Sequence, residues 1–296
     1  TIPAPFCQAF RAGFRALPRG FWQIHAGFRH GEPQKGRRRS FWNPILYKIK
    51  KDETMTETLP TTRRCGLSGT ALKLIACGTM LIDHIGASCI EAGVGTAADC
   101  PVSLLEMDRI LRLIGRLAFP IFCFLLVEGF LHTHDGKQYL RRLLLFGAVS
   151  EIPFDMAFFR VPFYGGHQNV YWTLALGMIA MAAMQHFQDA AGRLTWQGGA
   201  AAVACALAAE LAATDYGAIG VALIAALYLT RNSRTQQSIL GAGMMLFELT
   251  APLAFVLTWF YNGQRGRCPQ WAKWAFYLFY PVHLTVLGVL TNVLLR

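Results

Sequence analysis

From Ala71 to the C-terminus the chain alternates long apolar runs with short polar breaks. Eight runs stand out, over residues 71–90, 110–131, 139–159, 170–187, 194–213, 217–230, 238–261 and 274–295. About 20 apolar residues is the length a helix needs to cross the hydrocarbon of a bilayer. Inside lipid a helix satisfies its own backbone polar groups, whereas an open strand cannot. The pattern therefore predicts an all-α fold, a polytopic transmembrane helix bundle of about eight apolar segments. The run over 217–230 is short for a full crossing, about 21 Å as a helix.

Residues 1–66 break this pattern. They are rich in Arg, Gly, Pro and Phe, carry the basic run PQKGRRRS, and show no sustained helical stripe. A disordered basic cytoplasmic extension is expected there, with residues 67–296 as the membrane domain. Met55, followed by the polar lead TETLPTTRRCG, is expected to be a natural start.

Composition sharpens the membrane reading. Hydrophobic residues make up 54% and charged residues 15% of the 296, against about 25% charged in a soluble domain. The formal charge of +11 invites a nucleic-acid partner. The placement of that charge argues against one, since a basic extension before the first span is what a cytoplasmic N-terminus carries. Loop 91–109, with Glu91, Asp99, Glu106 and Asp108, then falls outside, while Lys137, Arg141, Arg142, Arg231 and Arg234 fall inside. The last loop spoils the order. If all eight segments cross, Arg265, Arg267 and Lys273 lie outside; either one segment does not span, or that loop has another task. The eight cysteines show no CxxC or Cys/His spacing, so no metal site is expected. Cys89 and Cys100 flank the outer loop at a spacing that permits a disulfide.

Charged residues within the spans carry the chemistry. Ser68 is placed to cap the first helix, which buries Lys73, Asp83 and His84, with Lys73 and His84 on one face. An acid at the centre of a span costs about 2.5–3.5 kcal/mol on insertion scales, so such residues face polar cavities or glue helices together. Arg109, Arg112 and Arg116 form one stripe on the second segment, and Arg116 is too deep to snorkel. It needs a carboxylate or an anionic ligand. Glu151 and Asp155, spaced i, i+4 around Pro153, are the expected source, either as a salt bridge from Glu151 to Arg116 or as a like-charge pair lining a cavity. His167, Asn169 and Asp215 stand at span mouths, where Asp215 is also a natural helix cap. Tyr280 and His283 share a face of the last span. The basic, Gly-containing loop before that span can take phosphates through its arginines and backbone N–H groups. No serine-nucleophile elbow, HExxH motif or dinucleotide fingerprint is present.

The blocks LKLIACGTMLIDHIG, LRLIGRLAFPIFCFLLVEGFLHT, SEIPFD, GGHQNVYWTLALG, DYGAIGV, YNGQRG and FYLFYPVHL follow one another in one register over residues 67–296. In order and wording they resemble the TraX family of bacterial membrane proteins. They are more distantly similar to transmembrane acyltransferases such as heparan-α-glucosaminide N-acetyltransferase. The resemblance implies a multi-pass enzyme of the cytoplasmic membrane. It would move an acetyl group from acetyl-CoA to an amine or hydroxyl of an acceptor, a pilin N-terminus or an envelope glycan. Under it His84 is the expected general base, oriented by Asp83 or another acid, with His283 the second choice. Glu151 and Asp155 join the catalytic group. Arg116 and Asn169 are expected to stabilise the oxyanion or hold the acceptor, with His167 and Asp215 beside them. Arg265, Arg267, Lys273 and Tyr280 would hold the CoA. That last assignment requires the basic loop to be cytoplasmic, with one crossing fewer. Two other classes stay open, a proton-coupled transporter using the same residues as a relay, and a non-catalytic assembly protein. No repeat between the halves supports the transporter.

Overall fold

The computed structural model describes residues 66–91 and 101–294, with the side chains of Gln270, Lys273 and Leu294 excepted. The basic extension over 1–65, Met55 and Cys100 lie outside the described residues. Among the described residues every regular element is a helix: α1 (Gly69–Ile85), α2 (Val102–Gly115), α3 (Ala118–Leu131), α4 (Gly136–Phe158), α5 (Val170–His186), α6 (Trp196–Leu211), α7 (Gly217–Leu229), α8 (Arg234–Met244), α9 (Ala254–Trp259) and α10 (Gln270–Leu294). Three stretches are long and apolar enough to cross a membrane, Gly69–Ile90, Val102–Leu131 and Trp274–Val293, and Gly217–Leu229 is a shorter apolar helix.

Polar side chains set five of the ten helix starts. Ser68 accepts from the Ala71 N–H, Asp135 from Gln138, Asn169 from Tyr171, Thr195 from Gly198 and Ser233 from Gln236. Each satisfies a backbone donor that the first turn leaves without an intrahelical partner. Breaks follow equally local causes. A five-residue π turn, Gly86–Ile90, extends α1, with the Ser88 hydroxyl donating to the His84 carbonyl at 2.6 Å. The run over 110–131, expected as one helix, turns at Arg116–Leu117 between α2 and α3. Pro281 inside α10 has no N–H for the Tyr277 carbonyl four residues back, and the Tyr171 hydroxyl bonds that carbonyl instead, at 3.3 Å.

The core is built from α3, α5 and α7. Phe124, Ile121, Met178, Met181, Leu223, Ile224 and Leu227 are wholly enclosed there. α4 packs along α10 and against α5, while α1 lies across α2, α3 and α10.

The run over 238–261 departs from expectation. Instead of one spanning helix it forms a hairpin, α8 running in and α9 running back. Its tip is pinned by the Thr250 hydroxyl on the Leu113 carbonyl. Both limbs converge on one end of the bundle. Arg234 at the start of α8 lies 3.6 Å from Glu128, and the Tyr261 hydroxyl, just past α9, bonds the same carboxylate. Gly241 makes the hairpin close, because a Cβ there would collide with the Phe255 ring. The loop that follows is tied to the start of α1. Leu67 N–H donates to Phe260 O at 2.8 Å, Gly69 N–H to Gln264 O at 2.9 Å and Thr70 N–H to Arg265 O at 2.9 Å. The last basic loop therefore lies at the end of the bundle where α1 begins, and the misfit in loop charges disappears. Gln168 pairs with Thr214 at the opposite end.

This arrangement predicts sidedness. A single cysteine at Gln264 and one at Gly165, each in a background lacking the native cysteines, should react with an impermeant thiol reagent from opposite faces of the membrane. Labelling of both from one face would exclude the hairpin.

Candidate functional site

Two histidines from the first and last long helices meet inside the bundle. His84 Nδ1 lies 2.7 Å from His283 Nε2, and the rings stack with centroids 5.0 Å apart. His283 Nδ1 lies 2.6 Å from the Phe279 carbonyl. A carbonyl oxygen only accepts, so His283 carries its proton on Nδ1 and presents a lone pair at Nε2. His84 must then donate from Nδ1, which leaves His84 Nε2 as the open acceptor. The α-helical spacing 279–283 and the packing of α1 on α10 thus fix the tautomer of a residue on another helix. Phe158 and Tyr280 stand edge-on to the His84 ring, at 5.2 and 5.8 Å between centroids. Tyr280 is buried, and its oxygen accepts from the Val170 N–H.

Asp83 does not orient His84. Adjacent helical positions point about 100° apart, and Asp83 reaches the other way, to Arg112 at 2.6 Å. Arg112 also holds Glu91 at 3.2 Å. Gly115 makes room for this contact, since a Cβ there would overlap the Asp83 side chain. Asp83 Oδ1 is buried without a hydrogen-bond partner among the described residues.

Arg116 has a partner other than the expected Glu151. It pairs with Glu248 from the hairpin tip at 2.9 Å, and the Tyr216 hydroxyl bonds the same guanidinium. Glu151 is engaged elsewhere, accepting from Trp172 Nε1 at 2.6 Å and from the Asn169 N–H at 3.3 Å. Glu248 lies inside an apolar run whose length reads as a single span, which conceals it in the sequence. An acid in the middle of MMLFELTAPL, four residues before a proline, was the available signal.

Asp155 is buried and takes the Tyr164 N–H at 2.8 Å, while Asp155 Oδ1 and Glu151 Oε2 have no hydrogen-bond partner among the described residues. His167 lies 3.8 Å from Asp215 near the same end. Phe154 and Phe158 link this group to His84, Phe154 lying 5.0 Å from Phe158 and 5.9 Å from His167 between centroids. Asn169 is a cap: its amide donates to the Gly147 carbonyl at 2.8 Å and its oxygen takes the Tyr171 N–H at 3.0 Å. Asn169 is wholly enclosed, with both polar groups engaged at the start of α5. Tyr280 belongs with the histidines and stands away from the basic loop with which it was grouped. Arg265 and Arg267 are exposed at the other end of the bundle, and the Lys273 side chain lies outside the described residues. The loop's contacts also cover the start of α1, so its N–H groups bond carbonyls of that loop.

The site thus has a histidine pair in mid-bundle, acids toward one end and cations toward the other. The sequence profile of the TraX protein family matches residues 68–291. The chain belongs to the TraX family. A relative named as a probable fimbrial assembly protein, FimC of serogroup H1, from Dichelobacter nodosus, is 29% identical over 255 residues, covering 76% of this chain and 96% of the relative. No solved structure matches this TraX chain.

The ion pair at the hairpin tip yields a prediction. Arg116 and Glu248 are each about four-fifths buried, so Arg116→Ala or Glu248→Ala should lower stability toward the lower end of about 3–5 kcal/mol. The swapped double variant should recover part of that loss. Glu151→Ala should leave the Arg116 contribution untouched. A thermal-unfolding double-mutant cycle showing coupling of Arg116 to Glu151 and none to Glu248 would overturn the assignment.

Proposed function

We propose that this TraX-family protein is an integral membrane acyltransferase of the bacterial cytoplasmic membrane. It moves the acetyl group of acetyl-CoA to an amine or hydroxyl of an envelope acceptor. The observation that carries this reading is the directed chain from the Phe279 carbonyl through His283 to His84. A base for acyl transfer must present an unprotonated nitrogen in a fixed direction, and here the hydrogen-bond order leaves that role to His84 Nε2. The name of the Dichelobacter relative points to a fimbrial subunit as one acceptor class, with a surface glycan as the other.

The steps follow from the residues. As the acceptor nitrogen or oxygen attacks the thioester carbonyl, its proton passes to His84 Nε2. The imidazolium so formed is held by His283, whose lone pair accepts from His84 Nδ1–H. The Tyr280 oxygen is already bonded by Val170 N–H, so its own O–H is available to the developing oxyanion. Collapse breaks the carbon–sulfur bond, and the thiolate leaves with the proton from His84. Acids at the far end, Glu151, Asp155 and Asp215 with His167, face the acceptor side. Arg265 and Arg267 face the donor side.

Acetyl transfer from labelled acetyl-CoA in membranes tests the reading. His84→Ala should lower turnover by about 10²–10⁴ with little loss of acetyl-CoA binding. His283→Ala should be milder, since it removes the orienting acceptor and leaves the base. Wild-type turnover should rise with pH as the base loses its proton, and that limb should be missing in His84→Ala. Near-normal turnover in His84→Ala would move the base elsewhere. Proton flux with no acetylated product would favour the transporter class.

A further inference from the structure

Three cations stand at the end of the bundle where α1 begins, Lys73 on α1, Arg142 on α4 and Arg265 on the loop before α10. The Lys73 ammonium stands 5.6 Å from the Phe276 ring centroid. The Arg142 guanidinium stands 5.8 Å from the centroids of both Tyr139 and Tyr277, and the Tyr277 hydroxyl bonds it. Arg265 reaches in from the loop, near enough to act electrostatically on Lys73, Tyr139 and Tyr277. None of the three forms an ion pair among the described residues. Arg112, Arg116, Arg193 and Arg234, by contrast, each hold a carboxylate.

Snorkelling toward water is the ordinary explanation for basic residues at a membrane edge. It does not explain Arg142. One of its N–H groups bonds Gln138 Oε1 at 2.9 Å, but Nε is buried and has no hydrogen-bond partner among the described residues. A buried guanidinium N–H without an acceptor is costly. The three cations and the neighbouring phenol donor suit a multivalent oxyanion better than a single carboxylate. Aromatic rings stand beside the cations, Phe146 stacking on Tyr277 at 5.1 Å and lying 6.4 Å from Trp274.

We propose that Lys73, Arg142, Arg265 and Tyr277 line a cleft that binds the phosphate or diphosphate group of an organic phosphate ester. Naming that ester as the acyl donor rests on the acyltransferase reading; the anion site itself does not. The cleft shares two helices with the histidine pair. Lys73 precedes His84 by eleven residues and Tyr277 precedes His283 by six, about 16 Å and 9 Å along the helix axes. An ester anchored here by its phosphates would extend between α1 and α10 toward His84.

Binding to the purified full chain tests the proposal with two probes. One is coenzyme A, titrated in detergent. The other is phosphatidylglycerol in nanodiscs, read as thermal stabilisation over phosphatidylcholine. Arg142→Gln and Lys73→Gln should each weaken the responding probe at least tenfold, and Arg193→Gln, in a surface pair with Asp189, should not. Arg265→Gln, on an exposed loop, reports on the cleft even if Arg142→Gln fails to fold. Loss of coenzyme A binding in the cleft variants supports a soluble phosphate ester. Loss of the phosphatidylglycerol effect alone supports the same site with a lipid headgroup in it, and removes the donor assignment. Unchanged responses to both probes in folded variants overturn the site. If acetyl transfer then persists with an unaltered KM for acetyl-CoA, the cleft fails while the acyltransferase reading stands. If the cleft binds phosphate but no transfer is found, the reverse holds.

Discussion

A charged group inside an apolar bundle must find a partner, and the fold is arranged around that demand. Arg116 lies at the turn between α2 and α3, with about three-quarters of its side chain buried. Its counterion arrives on a hairpin that enters the bundle and returns, carrying Glu248 at the tip. The hairpin in turn sets the side on which the last basic loop emerges. One ion pair thus connects the interior chemistry to the distribution of charge at the two ends.

The same demand organises the histidines. His283 is oriented by a carbonyl of its own helix, and His84 is oriented by His283. Direction passes from backbone to side chain to side chain, because each acceptor has only one donor arrangement compatible with it. A carboxylate orienting His84 would have localised charge beside its ring. A second imidazole fixes the ring while leaving its environment neutral, and Asp83 is drawn off to Arg112. Of the groups described above that form no ion pair among the described residues, Glu151 and Asp155 lie toward one end and Lys73, Arg142 and Arg265 toward the other. That polarity is what the proposed acyl transfer calls for, with donor and acceptor arriving from opposite ends of the bundle.

Much of this was legible in the chain itself. Apolar runs of spanning length fix the helical class, because lipid admits few other solutions. Ser68 as a cap, His84 and His283 as buried histidines, and Arg116 as a residue in need of an anion all follow from local pattern. These are properties of one helix at a time, set by periodicity and burial. Partner choice was decided only in three dimensions. Arg116 takes Glu248 in place of Glu151, Asp83 takes Arg112 in place of His84, and Asn169 ends as a cap. The run over 238–261 becomes a hairpin because an internal acid and Gly241 favour a close return over a crossing. Periodicity tells which residues share a face of a helix; it carries no information about which face of another helix comes to meet it, and that is settled by packing across the whole bundle.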